Sequence, residues 1–471
     1  ASLNQAESLD LSFKQFAQFR YEYHWNTDKV LSMKRIFPGE YSSLAGILLL
    51  LMIFGSIFSE IWPAFPSWPS GVCAWCAALL LLSQLSKVQI LQIGILLLIG
   101  VVSLTSGLVL GSQPMWLRLL DNNAGLLSML AAVSFLRLVA MQGNKVQVAV
   151  PHGMRAYWQT MLAVALFGAF INVSAPILIA DRVSEGKKLS LFAAQSLARS
   201  FIGGPTWSPF FAGMAVVLTY VADAHLLVIM AFGFPFAVLG LVLVIVEAKF
   251  RYPGEVANFE GFPMTPSSLW LPGILALGVL LGHAFLPHAS ILAVIALSSL
   301  VVSFIGLCLY SGLNGAKSQL QQHILKGLPK MVNELVLFLA AGVLAIGLQT
   351  LVAATHISLP LGGEFAAAAA VILLAVMVLL ALLGVHPVIS IAVVTPLLAP
   401  VAPDSELLAL TFVFSWSLGA CASPLSGLNL IFQGRYGIPS IKLAALNWPY
   451  VAVMYFVAAI FLYGAAIILG V

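Results

Sequence analysis

Charge is what this chain has least of. Only 8% of its 471 residues are charged, about a third of the roughly 25% usual in a soluble domain. Twenty-one basic and 17 acidic side chains cannot coat a globule of this length, so a water-soluble fold is excluded. Cysteine is scarce too, four in all, which excludes a disulfide-built scaffold. A signal-peptide pattern is missing from residues 1–40, which are polar and amphipathic. Short alternating apolar segments are missing as well, so a transmembrane barrel is excluded. The net charge of +4 is modest, and the basic residues lie in loops of one face. No nucleic-acid partner is implied.

What is present is apolar: 61% of the residues, with a mean hydropathy of +1.03. Disorder and collagen are thereby excluded. The fold class is an all-α polytopic membrane protein, its partner the lipid bilayer. A span needs about 20 apolar residues. Runs of that kind are read at 43–62, 71–85, 88–110, 121–140, 189–221, 226–246, 269–286, 290–310, 334–354, 407–432 and 446–469. Two further apolar stretches, 157–180 and 365–399, are interrupted by polar residues. With the N-terminus cytoplasmic, Lys145/Arg155, Lys249/Arg251, Lys317/Lys326/Lys330 and Arg435/Lys442 all fall inside only if those two stretches turn back as re-entrant hairpins. The charge rule thus predicts about eleven spans and two hairpins. It places the chain in a membrane of the bacterial inner (plasma) type.

An internal repeat supports this. Ser200–Pro209 lies over Ser415–Pro424, with Ser200/Ser415, Gly204/Gly419, Ser208/Ser423 and Pro209/Pro424 coincident at one offset. Each window follows a hairpin with its own polar break, Asn172-Val173-Ser174 in the first and Val385-His386-Pro387 to Ser390 in the second. The first window runs inside to outside and the second the reverse, so the repeat is inverted. The division is an amphipathic segment over 1–42, an extra span over 43–70, repeat 1 over 71–250, a cytoplasmic linker over 251–268 and repeat 2 over 269–471. Gly and Pro in mid-span disfavour helical hydrogen bonds, and bare backbone at membrane depth is tolerated only around a protein-lined cavity. Half-helix N-termini suit anions there, and carbonyls and hydroxyls suit cations.

This layout resembles the ion transporter superfamily, nearest in style to the divalent anion–sodium symporters. There a Gly-containing, Thr/Pro-rich loop interrupts the helix after each hairpin, as Gly203–Pro209 and Gly419–Pro424 would here. The tips depart from that family's Ser-Asn-Thr, reading Asn172-Val173-Ser174 and His386-Pro387. The resemblance implies alternating access by an elevator-like bundle, a homodimer, and Na+ or H+ as the coupling ion, with no other cofactor.

The candidate ligands for a small organic anion, such as a carboxylate, are Asn172, Ser174, Arg199, Ser200, Gly204, Thr206, Ser208, His386, Ser390, Ser415, Ser417, Gly419, Ser423, Ser426 and Asn429. Arg199, ten residues into a span, could pair with a substrate carboxylate, or structurally with Asp181, a loop carbonyl or lipid. His386 could carry a proton or pack neutrally. Hydroxyls in membrane helices often bond their own turn. Na+ is expected near Ser208 and Ser423, with no other metal. Glu334 reads as a helix-start residue. Cys73 and Cys76 form a C-x-x-C inside an apolar run and read as packing residues. Three other functions stay open: an acyl or lipid-headgroup transferase using His386 as base, a cation/proton antiporter, and a channel.

Overall fold

The computed structural model describes residues 41–62, 64–114, 116–140, 151–185, 187–262, 270–355, 357 and 365–471. Nearly all of the amphipathic segment expected over 1–42 lies outside these, as do Lys145 and Glu364.

The described residues are helical nearly throughout. In chain order the first helices are α1 (Tyr41–Ile61), α2 (Trp68–Leu81) and α3 (Lys87–Val109). A broken span follows as α4 (Arg118–Asp121), α5 (Ala124–Val133) and α6 (Leu136–Ala140). The first hairpin is α7 (Gly153–Ile171) and α8 (Ser174–Val183). A second broken span is α9 (Leu191–Phe201), α10 (Gly204–Trp207) and α11 (Ala212–Tyr220). Then come α12 (Leu226–Arg251), the short α13 (Pro253–Ala257), α14 (Trp270–Phe285), α15 (Ile291–Gln322) and α16 (Val332–Thr355). The second hairpin is α17 (Ala367–Leu382) and α18 (Pro387–Leu398). Last are α19 (Ser405–Ala422), α20 (Gly427–Tyr436) and α21 (Ser440–Leu469).

Nine helical stretches are long and apolar enough to cross a membrane, by length and composition among the described residues. One of them, Ile291–Thr355, holds both α15 and α16, and α7 is one leg of a hairpin. The shorter α2 and α14 complete the expected order of eleven crossings and two hairpins. The chain is an integral membrane protein.

Local chemistry fixes the ends. Ser86 and Gln89 form a capping box at the start of α3, and Asp404 caps α19 by accepting from the Leu407 N–H at 2.8 Å. Gly437, at φ +70°, ends α20 in a left-handed turn and throws the chain straight into α21. Outside the spans, Lys187 pairs with Glu260 at 2.5 Å, and this bond holds the exposed Glu260 carboxyl below the ordinary carboxylate range.

Two bodies of helices emerge. In the first, α3 and α16 cross with their backbones touching. A Cβ on Gly347 would lie 2.1 Å from the Gly100 carbonyl oxygen, so the pair closes only on glycine. α2 and α4 pack on α16, and α1, α5 and α15 pack on one another, with α1 also on α2. The second body holds both hairpins, α9–α12 and α19–α21. Gln195 donates to the Leu446 carbonyl and Arg199 lies over the Tyr450 ring, so α9 and α21 run parallel. α19–α20 precede α21 through the tight turn at Gly437. They therefore run antiparallel to α9–α11, as an inverted repeat requires.

Candidate functional site

The Ser-Pro pairs break both spans in the same way. Ser208 leaves the helix at φ −91°, ψ 123°, and Ser423 at φ −77°, ψ 126°. Each serine N–H still donates four residues back, to Gly204 at 3.0 Å and to Gly419 at 2.9 Å. Each hydroxyl accepts from the N–H two residues on, Phe210 at 3.2 Å and Leu425 at 3.3 Å. The aligned Ser208/Ser423 and Pro209/Pro424 thus share one local geometry.

Upstream the two windows differ. Repeat 1 has an additional break at Ile202-Gly203, because Pro205 lacks an N–H and its ring would strike the Phe201 carbonyl in a continuous helix. Ala420 stands at the matching place in repeat 2, and α19 runs unbroken to Ala422. Gly419, expected in an interrupted stretch, therefore lies inside a helix, as do Ser415 and Ser417; the break of repeat 2 is Ser423–Ser426. Ser417 donates at 2.6 Å to the Ile202 carbonyl, which the break of repeat 1 leaves without its helical partner. One repeat thus satisfies the other's exposed backbone at membrane depth.

The hairpin tips close onto these breaks. Asn172 sits at φ +51°, ψ −141°, a positive-φ conformation outside the left-handed helical region that a non-glycine residue rarely adopts. It donates to the Phe210 carbonyl at 3.1 Å, while Ser208 donates to the Ala169 carbonyl. At the second tip His386 caps α18, its Nδ1 accepting from the Val388 N–H at 3.3 Å, and its ring meets Trp416 edge-on at 5.4 Å.

Between the two bodies lies a cavity of about 630 Å³. Three helix N-termini open onto it: α8 through Val173 and Ser174, α18 through His386 and Pro387, and α20 through Ser426 and Gly427. Each is the positive end of a helix of ten or more residues. The facing wall, from α6 and the α15–α16 junction, carries Arg137, His323, Lys326, Lys330 and Glu334. Apolar side chains, among them Phe201, Phe211, Phe338 and Trp416, also line it.

Of the candidate ligands, Asn172, Ser174, His386, Ser423 and Ser426 line this cavity. Ser200 bonds its own turn at Ser196, Ser415 bonds Phe412, and Thr206 donates to the Gly203 and Gly233 carbonyls. Gly204 packs against the Phe211 ring, and Asn429 donates to the Ser423 carbonyl at 2.9 Å. Ser390 is buried, its hydroxyl without a partner. The Asn172 Oδ1 is likewise a buried oxygen without a partner. Ser208, expected beside Na+, has its hydroxyl engaged by Ala169 and Phe210.

Arg199 is the main correction. It is 5% exposed and lies outside the cavity. Its guanidinium donates to Glu247 at 2.6 Å, to Asn447 at 2.9 Å and to the Leu446 carbonyl at 2.7 Å, and it stacks over Tyr450. Its carboxylate is supplied by the protein, and by Glu247 rather than Asp181, which pairs with Arg435 at 2.6 Å. The residues sequence reading missed are Arg137, His323, Lys326 and Lys330. Both lysines marked the inside face, a signal that hides a second role.

No family model matches the sequence, and no curated protein matches it. By structure the chain is similar to the Alcanivorax borkumensis YdaH transporter, whose crystal structure is described as revealing an unusual topology. The TM-score is 0.55 at 13% identity, over 80% of this chain and 98% of that one. At that identity the likeness is one of fold. It is a likeness to a transporter, and it does not single out the divalent anion–sodium symporters.

Proposed function

We propose that this chain is a secondary active transporter that carries a small organic anion, such as a carboxylate, coupled to Na+ or H+. The observation that carries the reading is the convergence of three helix N-termini, two of them at hairpin tips, on one cavity between two helical bodies. Their partial positive charges favour an anion without the desolvation cost of a buried cation. The bundle holding both hairpins would move against the α3–α16 body and expose the cavity alternately to the two sides. With the lysine-rich face cytoplasmic, the exposed Lys326 and Lys330 put their side of the cavity toward the cytoplasm. A homodimer built on the α3–α16 body belongs to the same reading.

Purified protein in proteoliposomes tests it. Uptake of a labelled carboxylate should follow an imposed Na+ or pH gradient and collapse when that gradient is dissipated. Product formation from a lipid or acyl donor without uptake would overturn the reading in favour of a transferase. The His386→Ala and Ser426→Ala variants should each lower uptake about tenfold, the loss of one positioned group.

A further inference from the structure

One wall of the cavity is formed by the body that lacks the hairpins. It brings Arg137 from α6 together with Lys326 and Lys330 from the α15–α16 junction. Among the described residues none of these three cations takes part in an ion pair or a hydrogen bond. Glu334 is the one acid on that wall, so the balance stays positive. Arg137 and Lys330 line the cavity together with His323. His323 is pinned there by the Ser134 hydroxyl at 2.8 Å and by the Phe135 ring at 4.5 Å. The junction itself is shaped for this: His323–Gly327 forms a π-helical turn, and any Cβ on Gly327 would lie 2.3 Å from the His323 ring nitrogen. Three exposed cations that nothing nearby neutralises give this side of the cavity a positive field that draws anions in, most strongly at low salt.

We propose that Arg137, Lys326 and Lys330 form a second anion site, on the body opposite the hairpins, that takes up an oxyanion group entering the cavity. The group is a carboxylate, sulfonate or phosphate; the assignment to the transported solute rests on the transport reading above. Three cations against one acid favour a solute whose acidic group is fully ionised. The site lies on the body opposite the helix N-termini, so the solute is captured here and handed across.

The test reads local charge without needing the substrate. Gln322 is exposed and lines the cavity, so Gln322→Cys is a reporter; Asn258→Cys, exposed in the 251–268 linker away from the cavity, is its control. Each full-length variant, in phosphatidylcholine nanodiscs at low salt, is labelled with a sulfonate-bearing and a trimethylammonium-bearing methanethiosulfonate, read by peptide mass. The ratio of anionic to cationic labelling should be about tenfold higher at Gln322→Cys than at the control, and should fall with salt. Adding Arg137→Gln, Lys326→Gln and Lys330→Gln should abolish the preference; Lys326→Gln alone, at an exposed residue, should reduce it if the triple variant does not fold. A ratio equal to the control in the parent overturns the site. If the preference vanishes in phosphatidylglycerol nanodiscs, a lipid phosphate fills the wall, which overturns the assignment to a solute. A preference without carboxylate uptake by the same protein overturns the transport reading and leaves the site standing.

Discussion

Arg199 shows what a charge inside an apolar bundle needs first: another charge. Its neighbours Glu247, Asn447 and Tyr450 come from α12 and α21, far away in sequence, so nothing in the linear chain announced them. Arg199→Ala should therefore act on stability. It leaves Glu247, 15% exposed, with the more exposed Arg251 at 3.0 Å as its remaining charge partner, a cost of about 1–3 kcal/mol. Thermal unfolding in detergent should show a large fall in midpoint, and Arg199→Met with Glu247→Gln should recover much of it. A stable Arg199→Ala protein with only its KM raised would return Arg199 to the substrate. Asn172 makes a finer test. Asn172→Gly keeps the positive φ and loses the bond to Phe210, whereas Asn172→Ala loses both. Alanine should be the less stable by about 1–3 kcal/mol, the cost of a Cβ at this positive-φ, extended-ψ position, and both variants should lose uptake.

At the scale of elements, the spans were legible because the bilayer demands long apolar runs, and the hairpins because basic loops must share a face. Ser208 and Ser423 were legible from a fixed offset between two short windows, and their geometry agrees closely. Gly419 was not. The difference between Pro205 and Ala420 decides whether a helix continues, and alignment on glycine passed over it. The cations of the cavity wall were visible as residues, but their convergence depends on how the α15–α16 junction folds back on α6. The interlock between repeats gives a prediction at this scale. Ser417→Ala leaves the Ile202 carbonyl without its donor at membrane depth, costing about 1–3 kcal/mol. A midpoint lowered by that amount, together with reduced uptake, is expected. An unchanged protein would mean the two breaks are not mechanically joined.

For the whole molecule, two bodies of helices meet across a cavity of about 630 Å³, and the polarity of that cavity differs on its two walls. One wall presents helix ends and short polar side chains, the other cations, and aromatic rings line the cavity with them. That asymmetry could not be read from composition, since a net charge of +4 says nothing of where the positive groups gather. The central claim is that an anion rests between the hairpin tips. A cryo-EM map of the full chain, prepared with the carboxylate that gives the strongest uptake, tests it most directly. Ligand density bridging Asn172, His386 and the start of α20 is the predicted result; ligand density elsewhere, with the space between the tips empty, would contradict it.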